Sequence, residues 1–259
     1  MSLGYEMRDH VAVVTLNRPE ALNSLDPETR LELHDLFARI RVDKQVRVVV
    51  LTGTGPKAFC TGSDLKKTLP GSESFATLTF GTGQEPQSSV AALDIEQPII
   101  CAINGLAVAG GLEMALACDI RIAVDSARFG LSEVKVGSMP GGGGTQRLPR
   151  IVGMTNAMPM LLTGGLIGAE EALRIGLVSE LLSAEDLMPR ALAIAEQIAA
   201  NAPLAVKAVK RVVTRGGGMA LDDGIELERF AFGVLRDTED RIEGRTAFAE
   251  KRRPVYVGK

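Results

Sequence analysis

Short apolar runs rich in β-branched residues recur along the first half of the chain. Runs of this length, bounded by Gly, Pro or Asn, predict buried strands. They are His10–Leu16, Val46–Thr52, Pro98–Ile103 and Ile120–Val124. Because a helical pattern separates the first two runs, we expect βα-type winding around a buried sheet.

Two helices are predicted among these strands. Asp26 is placed to cap the first one, with Pro27 at its first position. The apolar side chains of this helix lie on one face at helical spacing: Leu33, Leu36, Phe37 and Ile40. The second helix is predicted from about Leu112 to Cys118, directly after a glycine-rich loop.

The C-terminal third is mostly helical in pattern. Helices are predicted over Ala191–Ala200, Leu204–Thr214 and Leu221–Leu235. Helices this apolar, with few strands nearby, are typical of a packing or oligomerisation module. By contrast, Leu65 to about Ser89 is polar and rich in Gly and Pro, which favours a mobile segment, such as a lid.

Composition excludes several classes of protein. A net charge of −3 and a pI near 5.6 do not favour nucleic acid or an anionic membrane as the partner. No apolar run reaches the roughly 18 residues of a membrane span, and no secretory signal pattern is present. Three cysteines without CxxC spacing argue against disulfide or zinc frameworks. We therefore expect a cytoplasmic protein.

The only histidines, His10 and His34, lie far from every glycine-rich loop. Their position argues against Ser-His-Asp and Cys-His mechanisms. Carboxylates are therefore the candidates for acid–base chemistry.

Two glycine-containing loops follow predicted strands. Glycines at a helix start let backbone N–H groups approach an anionic oxygen, and the helix dipole favours negative charge there. Gly110 N–H and Thr61 N–H are the natural donors, one from each loop. Neither GxxxxGK[ST] nor a GxGxxG opening a first βαβ unit is present, so a nucleotide-phosphate site is not expected. Tight packing is the alternative role for each loop.

Two glutamates accompany these loops. Glu113 falls in the first turn of an otherwise apolar helix. Because such a helix is buried around most of its circumference, Glu113 is not expected to be an ordinary surface residue, and a buried carboxylate needs a reason. Glu133 follows Ser132, and its simplest role is capping. If both carboxylates face one desolvated pocket, at least one pKa is raised and the pair supplies an acid and a base. Cys60 is open to two interpretations, a reactive thiol or a small buried side chain.

From about residue 10 to residue 259 the chain resembles the crotonase (enoyl-CoA hydratase/isomerase) superfamily. Many ordered matches carry the resemblance: Asn17–Asn23, Ala58–Asp64, Ala102–Gly105, Gly110–Glu113, Cys118–Asp119, Pro140–Leu148 and Ala247–Arg252. Cys60-Thr61 replaces a commoner Ala-Ala, but only the Thr61 backbone N–H is needed. Gly141–Gly144 is richer in glycine than usual, which would loosen the loop beside Glu133.

The resemblance implies an α/β fold, a spiral of β/β/α units with a C-terminal helical module. Residues 1–195 would form the core with the coenzyme A and catalytic site, and residues 196–259 a trimerisation module. It also implies a homotrimer, or a homohexamer built as a dimer of trimers.

The resemblance assigns the site residues as well. The N–H groups of Thr61 and Gly110 would form an oxyanion hole, and Thr61, Gly62, Ser63 and Asp64 would line the coenzyme A site. Phe248 and Lys251 would lie near the coenzyme A of a neighbouring subunit. Glu113 and Glu133 match the two catalytic glutamates of family hydratases.

The implied activity is enoyl-CoA hydration, in which Glu113 activates water and Glu133 supplies a proton. No metal or cofactor is expected, because coenzyme A is part of the substrate, and the acyl chain is expected against Leu65–Val90. Carnitinyl-CoA dehydration and enoyl-CoA isomerisation are the alternatives on this fold. Some members bind RNA through a lysine-rich helix, but the corresponding Glu28–Arg41 contains no Lys.

Overall fold

A computed structural model describes residues 2–67 and 88–259 of the chain. In these ranges ten strands and nine α-helices follow one another. The strands are β1 (Leu3–Arg8), β2 (Val11–Leu16), β3 (Val48–Gly53), β4 (Ala58–Cys60), β5 (Ile99–Ile103), β6 (Leu106–Val108), β7 (Ile120–Val124), β8 (Arg128–Gly130), β9 (Ile167–Gly168) and β10 (Glu180–Leu182). The helices are α1 (Pro27–Val42), α2 (Gly110–Ala117), α3 (Gly144–Val152), α4 (Met154–Thr163), α5 (Ala169–Arg174), α6 (Leu187–Ala199), α7 (Pro203–Gly216), α8 (Leu221–Val234) and α9 (Glu239–Ala249).

The strands form two sheets. The larger sheet has the order β1-β2-β3-β5-β7-β10, and the smaller has the order β4-β6-β8-β9. Strand pairs β1–β2 and β8–β9 are antiparallel, and all the other pairs are parallel. Successive turns of the chain place one strand in each sheet: β3 then β4, β5 then β6, β7 then β8. This is the predicted spiral of β/β/α units.

The four strands predicted from apolar runs are all present, and the runs match β2, β3, β5 and β7. Every residue of β5 is buried, as expected for a strand covered on both faces. Helix α1 begins as predicted, because the Asp26 carboxylate accepts a hydrogen bond from Thr29 N at 2.9 Å. Its predicted apolar face is buried.

Helix α6 packs across strands of the larger sheet. Its Ala191, Ala195 and Ala199 are buried, so the predicted division after residue 195 falls inside a helix that covers the sheet. Helices α7 and α8 follow it and contact each other. No residue in either of these two helices is buried in the single chain.

No single helix within residues 2–67 and 88–259 is long and apolar enough to cross a membrane. Helices α6 and α7 pass that test only when taken together, and they are bent by 107° at the break between them.

Candidate active site

The site forms where three parallel strands of the smaller sheet end. Thr61 follows β4 directly, Gly110 comes two residues after β6, and Glu133 comes three residues after β8. Because β4, β6 and β8 are neighbours and run parallel, their carboxyl ends meet at one edge of the sheet. Residues far apart in sequence are thereby brought into one cleft.

Polar side chains of the motifs named above hold β4 in place rather than line this cleft. Asn23 Nδ2 donates to the Ala58 carbonyl at 2.7 Å. Asn104 Nδ2 donates to the same carbonyl at 3.1 Å, and Asn104 Oδ1 accepts from Gly53 N at 3.1 Å. The two asparagines therefore fix the strand that leads to Thr61.

The start of α2 packs closely on the loop that follows β4. A Cβ added to Gly62 would lie 2.8 Å from the Gly110 nitrogen, and one added to Gly111 would lie 2.0 Å from the Cys60 carbonyl oxygen. Both positions therefore require glycine. Ala109, which precedes the helix, has a positive φ of 51°, a strained conformation for a residue with a side chain.

The strained turn leaves two backbone N–H groups at the cleft. Thr61 and Gly110 both line it. Within the described residues, neither N–H donates a hydrogen bond to another part of the protein. Gly110 is the first residue of α2, so its N–H is also one of the helix-start donors that need an outside acceptor.

Glu113 is buried in the first turn of α2, as the sequence predicts. Its Oε1 accepts hydrogen bonds from Gly142 N at 2.7 Å and from Gly144 N at 2.8 Å. Its Oε2 makes no hydrogen bond within the described residues, although Glu113 lines the cleft. Burial raises the pKa of Glu113, and the two backbone hydrogen bonds and the Arg147 charge oppose that rise.

The Gly141–Gly144 loop is therefore anchored rather than loosened. Its N–H groups bind Glu113, and Arg147 Nη1 donates to the Gly142 carbonyl at 2.8 Å. A Cβ added to Gly142 would lie 2.8 Å from Glu113 Oε2. The high glycine content lets the backbone approach the carboxylate, and the predicted loosening of this loop is wrong.

Glu133 begins the short 3-10 helix Glu133–Val136 and is half-buried. Its Oε2 is buried and has no hydrogen-bond partner in the described part of the chain. Burial raises its pKa, and the Glu113 charge raises it further. Ser132 occupies the N-cap position, but its side chain makes no capping hydrogen bond. The glutamates therefore share one desolvated pocket, as predicted.

The cleft has a volume of about 380 Å³. It is lined by the two glutamates, the N-terminus of α2, and apolar and hydroxyl side chains. The lining residues are Leu25, Arg30, Thr61, Ser63, Leu65, Ser88, Ser89, Val90, Ala109, Gly110, Glu113, Ser132, Glu133, Val136, Ser138, Met139, Gly141 and Gly142. The predicted lid and acyl-chain segment, Leu65–Val90, contributes its two ends to this lining, and its residues 68–87 lie outside the described residues.

The other residues predicted to bind coenzyme A do not all line the cleft. Ser63 lines the cleft, and Gly62 lies behind it against Gly110. Asp64 forms an ion pair with Arg18 at 3.0 Å, which lowers its pKa. Phe248 and Lys251, at the end of α9, do not line the cleft of their own chain. Phe248 is 87% exposed.

Cys60 is fully buried, and burial raises its pKa to about 12. The thiol is therefore protonated near neutral pH, which supports the structural interpretation of this residue. Within the described ranges no cluster of three or more His, Cys, Asp or Glu side chains is arranged to hold a metal ion.

Comparison with known proteins decides the family. Residues 6–259 match the profile described as Enoyl-CoA hydratase/isomerase. The chain belongs to the enoyl-CoA hydratase/isomerase family. It is 52% identical to the (E)-benzylidenesuccinyl-CoA hydratase of Thauera aromatica, over 100% of both chains. It is 43% identical to the short-chain-enoyl-CoA hydratase of Clostridium acetobutylicum, over 96% of this chain and 94% of that protein.

A solved structure confirms the fold of this family member. The enoyl-CoA hydratase of Bacillus anthracis superposes with a TM-score of 0.89 at 38% identity, over 100% of both chains. The spiral fold predicted for the enoyl-CoA hydratase/isomerase family is therefore confirmed.

Proposed function

We propose that this protein is an enoyl-CoA hydratase that adds water reversibly, with syn geometry, to a 2-enoyl-CoA thioester. The observation that carries the proposal is the pair Glu113 and Glu133 in one cleft with the N-terminus of α2. Both carboxyl groups have a raised pKa. Hydration needs a group that takes a proton from water and a group that gives one to carbon, and this pair supplies both.

The thioester oxygen is held by the N–H groups of Thr61 and Gly110. As the enolate forms, negative charge moves onto this oxygen, and donors already fixed in place stabilise it without reorganisation. The N–H groups meet this need because neither donates elsewhere within the described residues. The dipole of α2 adds to the effect at Gly110.

Glu113 activates the water that attacks C3 of the substrate. The two glycine N–H groups fix Oε1, so Oε2 is the oxygen available to water. Glu133 supplies the proton to C2, because its raised pKa favours the acid form. In dehydration the two residues exchange these roles.

The alternatives on the same fold are less well supported. An isomerase needs one acid–base residue, but the cleft holds two carboxylates that influence each other's charge. Dehydration of carnitinyl-CoA is less favoured, because the chain is 39% identical to relatives named carnitinyl-CoA dehydratase but 52% and 43% identical to the two hydratases described above. RNA binding is also disfavoured, because α1 carries Glu28, Glu32 and Asp35 on its exposed surface.

The proposal has no cofactor besides the coenzyme A carried by the substrate. We propose that the protein assembles as a homotrimer or a dimer of trimers, supported by the uncovered apolar residues of α7 and α8. Phe248 and Lys251 would then reach the coenzyme A of a neighbouring subunit. Three buried free cysteines support a reducing compartment, and we propose the cytoplasm.

The substitution Glu133→Gln tests the proposal. It keeps the shape of the side chain but removes the acid, so hydration of crotonyl-CoA is expected to fall about 10²- to 10⁴-fold. Calorimetric titration with coenzyme A should give a nearly unchanged Kd, because Glu133 contacts the acyl end.

The matched control is Glu170→Gln, which changes an exposed glutamate in the first turn of α5. It should retain full activity. Near-wild-type turnover by Glu133→Gln would contradict the two-glutamate mechanism, and wild-type protein without hydratase activity would contradict the proposed function itself.

A further inference from the structure

Arg30 carries an unsatisfied donor at the cleft. It lies in the first turn of α1, is half-buried and lines the same cleft as the two glutamates. Its Nη2 donates to Ser63 Oγ, while its Nε is buried with no hydrogen-bond partner among the residues that the structure describes. A buried N–H without an acceptor is unfavourable, so this position lacks an acceptor that a ligand could supply.

Arg30 also forms no ion pair within the described residues. This holds although Glu113 and Glu133 line the same cleft. Arg147 is the cation that acts on Glu113, whereas Glu133 responds to Glu113. The field of Arg30 instead reaches the buried Cys60 thiol, where it opposes the effect of burial on the pKa.

The neighbouring Ser63 extends this donor set. Its oxygen already accepts from Arg30, so its O–H is left to donate, and Ser63 also lines the cleft. Arg30 Nε–H and Ser63 O–H therefore offer two donors beside a permanent positive charge. Two donors and a guanidinium charge suit a carboxylate, which accepts charge-assisted hydrogen bonds from such groups.

We propose that Arg30 and Ser63 bind a free carboxylate on the acyl group, so that the preferred substrates are enoyl-CoA thioesters of dicarboxylic acids. Leu25, Leu65 and Val90 line the same cleft, and these apolar side chains would contact the carbon chain between the thioester and the carboxylate. This inference rests on the proposed hydratase function and specifies its substrate class. The catalytic pair would treat neutral and acidic acyl groups alike, and Arg30 would discriminate between them.

Binding of saturated acyl-CoA pairs tests the proposal without requiring turnover. In each pair a terminal methyl is replaced by a carboxylate: butyryl-CoA with succinyl-CoA, and valeryl-CoA with glutaryl-CoA. For at least one pair, calorimetric titration of the wild-type protein should show the carboxylate ligand bound about tenfold or more tightly. In Arg30→Met this ratio should fall to about one, and Arg30→Lys should retain part of it, because lysine keeps the charge but loses the fork of donors.

The matched control is Arg39→Met, which removes an exposed arginine of the same helix outside the cleft. It should keep the wild-type ratio, and thermal unfolding of all three variants checks that they are folded. A wild-type ratio near one, or a ratio that survives Arg30→Met, would overturn the proposal. Equal weakening of both members of a pair would overturn it too, because Arg30 would then bind the coenzyme A moiety. Failure of the hydratase function is recognised separately, by wild-type protein that does not hydrate crotonyl-CoA.

Discussion

At the scale of single residues, the environment of Glu113 separates what could be predicted from what could not. A glutamate in the first turn of an apolar helix is visible in the sequence, and so is its burial. Its partners, Gly142 and Gly144, lie 29 and 31 positions further along the chain. No local pattern encodes such a contact, because it exists only after the sheet brings the α2 and α3 loops together.

Arg147 and Arg30 were missed for a related reason. Each lies on a helix where an arginine is ordinarily a solvated side chain. Their roles depend on the direction of the side chain, towards the Gly142 carbonyl for Arg147 and towards Ser63 for Arg30. Arg147 lies within the Pro140–Leu148 match, and Arg30 follows the Asn17–Asn23 match by seven positions. This proximity is the sequence signal that either arginine lies near the site.

Arg147 should control the pH range of the reaction. Its charge lowers the pKa of Glu113 against burial, which raises it. Glu113 acts as a carboxylate, so activity is lost as pH falls through its pKa. Arg147→Met should therefore raise that pKa and shift the acidic limb of the kcat/KM profile to higher pH, with a loss of about tenfold at pH values on that limb.

Arg150→Met is the control for this shift, since Arg150 lies on the same helix and donates to Gln146 instead. Its profile should coincide with that of the wild type. An acidic limb that stays in place in Arg147→Met would contradict the assignment of Glu113 as the base.

At the scale of elements, apolar periodicity predicted the central strands and failed at the polar ones. Strand β1 has only one buried residue, Leu3, because it lies at the edge of the sheet, and a run such as Gly4–Arg8 lacks a buried-strand pattern. Helix α9 was missed because only Asp240 and Ala247 are buried in it. Its N-cap, Thr238, is a side-chain signal that could have located its start.

The junction between the β4 loop and α2 leads to a testable prediction at this scale. Gly62 has a φ of 83°, and a Cβ there would meet the Gly110 nitrogen. Gly62→Ala should therefore separate the Thr61 and Gly110 N–H groups and lower kcat about 10²- to 10³-fold, the usual effect of losing an oxyanion donor. Steady-state kinetics with crotonyl-CoA measures the effect.

Gly153→Ala is the control, because it introduces the strain of a positive φ without a collision. Gly153 has a φ of 77°, but nothing lies within 4 Å of the added Cβ. The positive φ should cost Gly153→Ala about 1 kcal/mol of stability and leave its kcat unchanged. Gly62→Ala should lose more, because the collision adds to the same strain. Equal kcat values for the two variants would show that the N–H pair does not act as proposed.

At the scale of the whole molecule, the C-terminal helices expose large apolar side chains in the single chain. Val213 on α7 and Phe230 on α8 are 67% and 71% exposed in the single chain. Val209 and Phe232 line one groove with Val213. Val234 and Phe248 are also exposed. Helix α7 is held to the core by polar contacts, including Lys210 with Asp119 at 2.8 Å. Its apolar residues are therefore free to pack on another copy.

Phe230→Asp should dissociate the assembly while leaving each chain folded. The aspartate would be desolvated in the subunit interface but solvated in the free chain, where residue 230 is exposed. Light scattering coupled to size exclusion should show a shift from trimer or hexamer to monomer, with little change in far-UV circular dichroism. If Phe248 and Lys251 serve a neighbouring subunit, the monomer should also have a raised KM for crotonyl-CoA.

Val42→Asp is the control, because Val42 is 76% exposed at the end of α1, away from the C-terminal helices. It should remain assembled and keep the wild-type KM. A wild-type protein that is already monomeric would contradict the proposed assembly. A dissociated Phe230→Asp with an unchanged KM would restrict the coenzyme A site to one chain, since the cleft would then bind its substrate without the partner's α9.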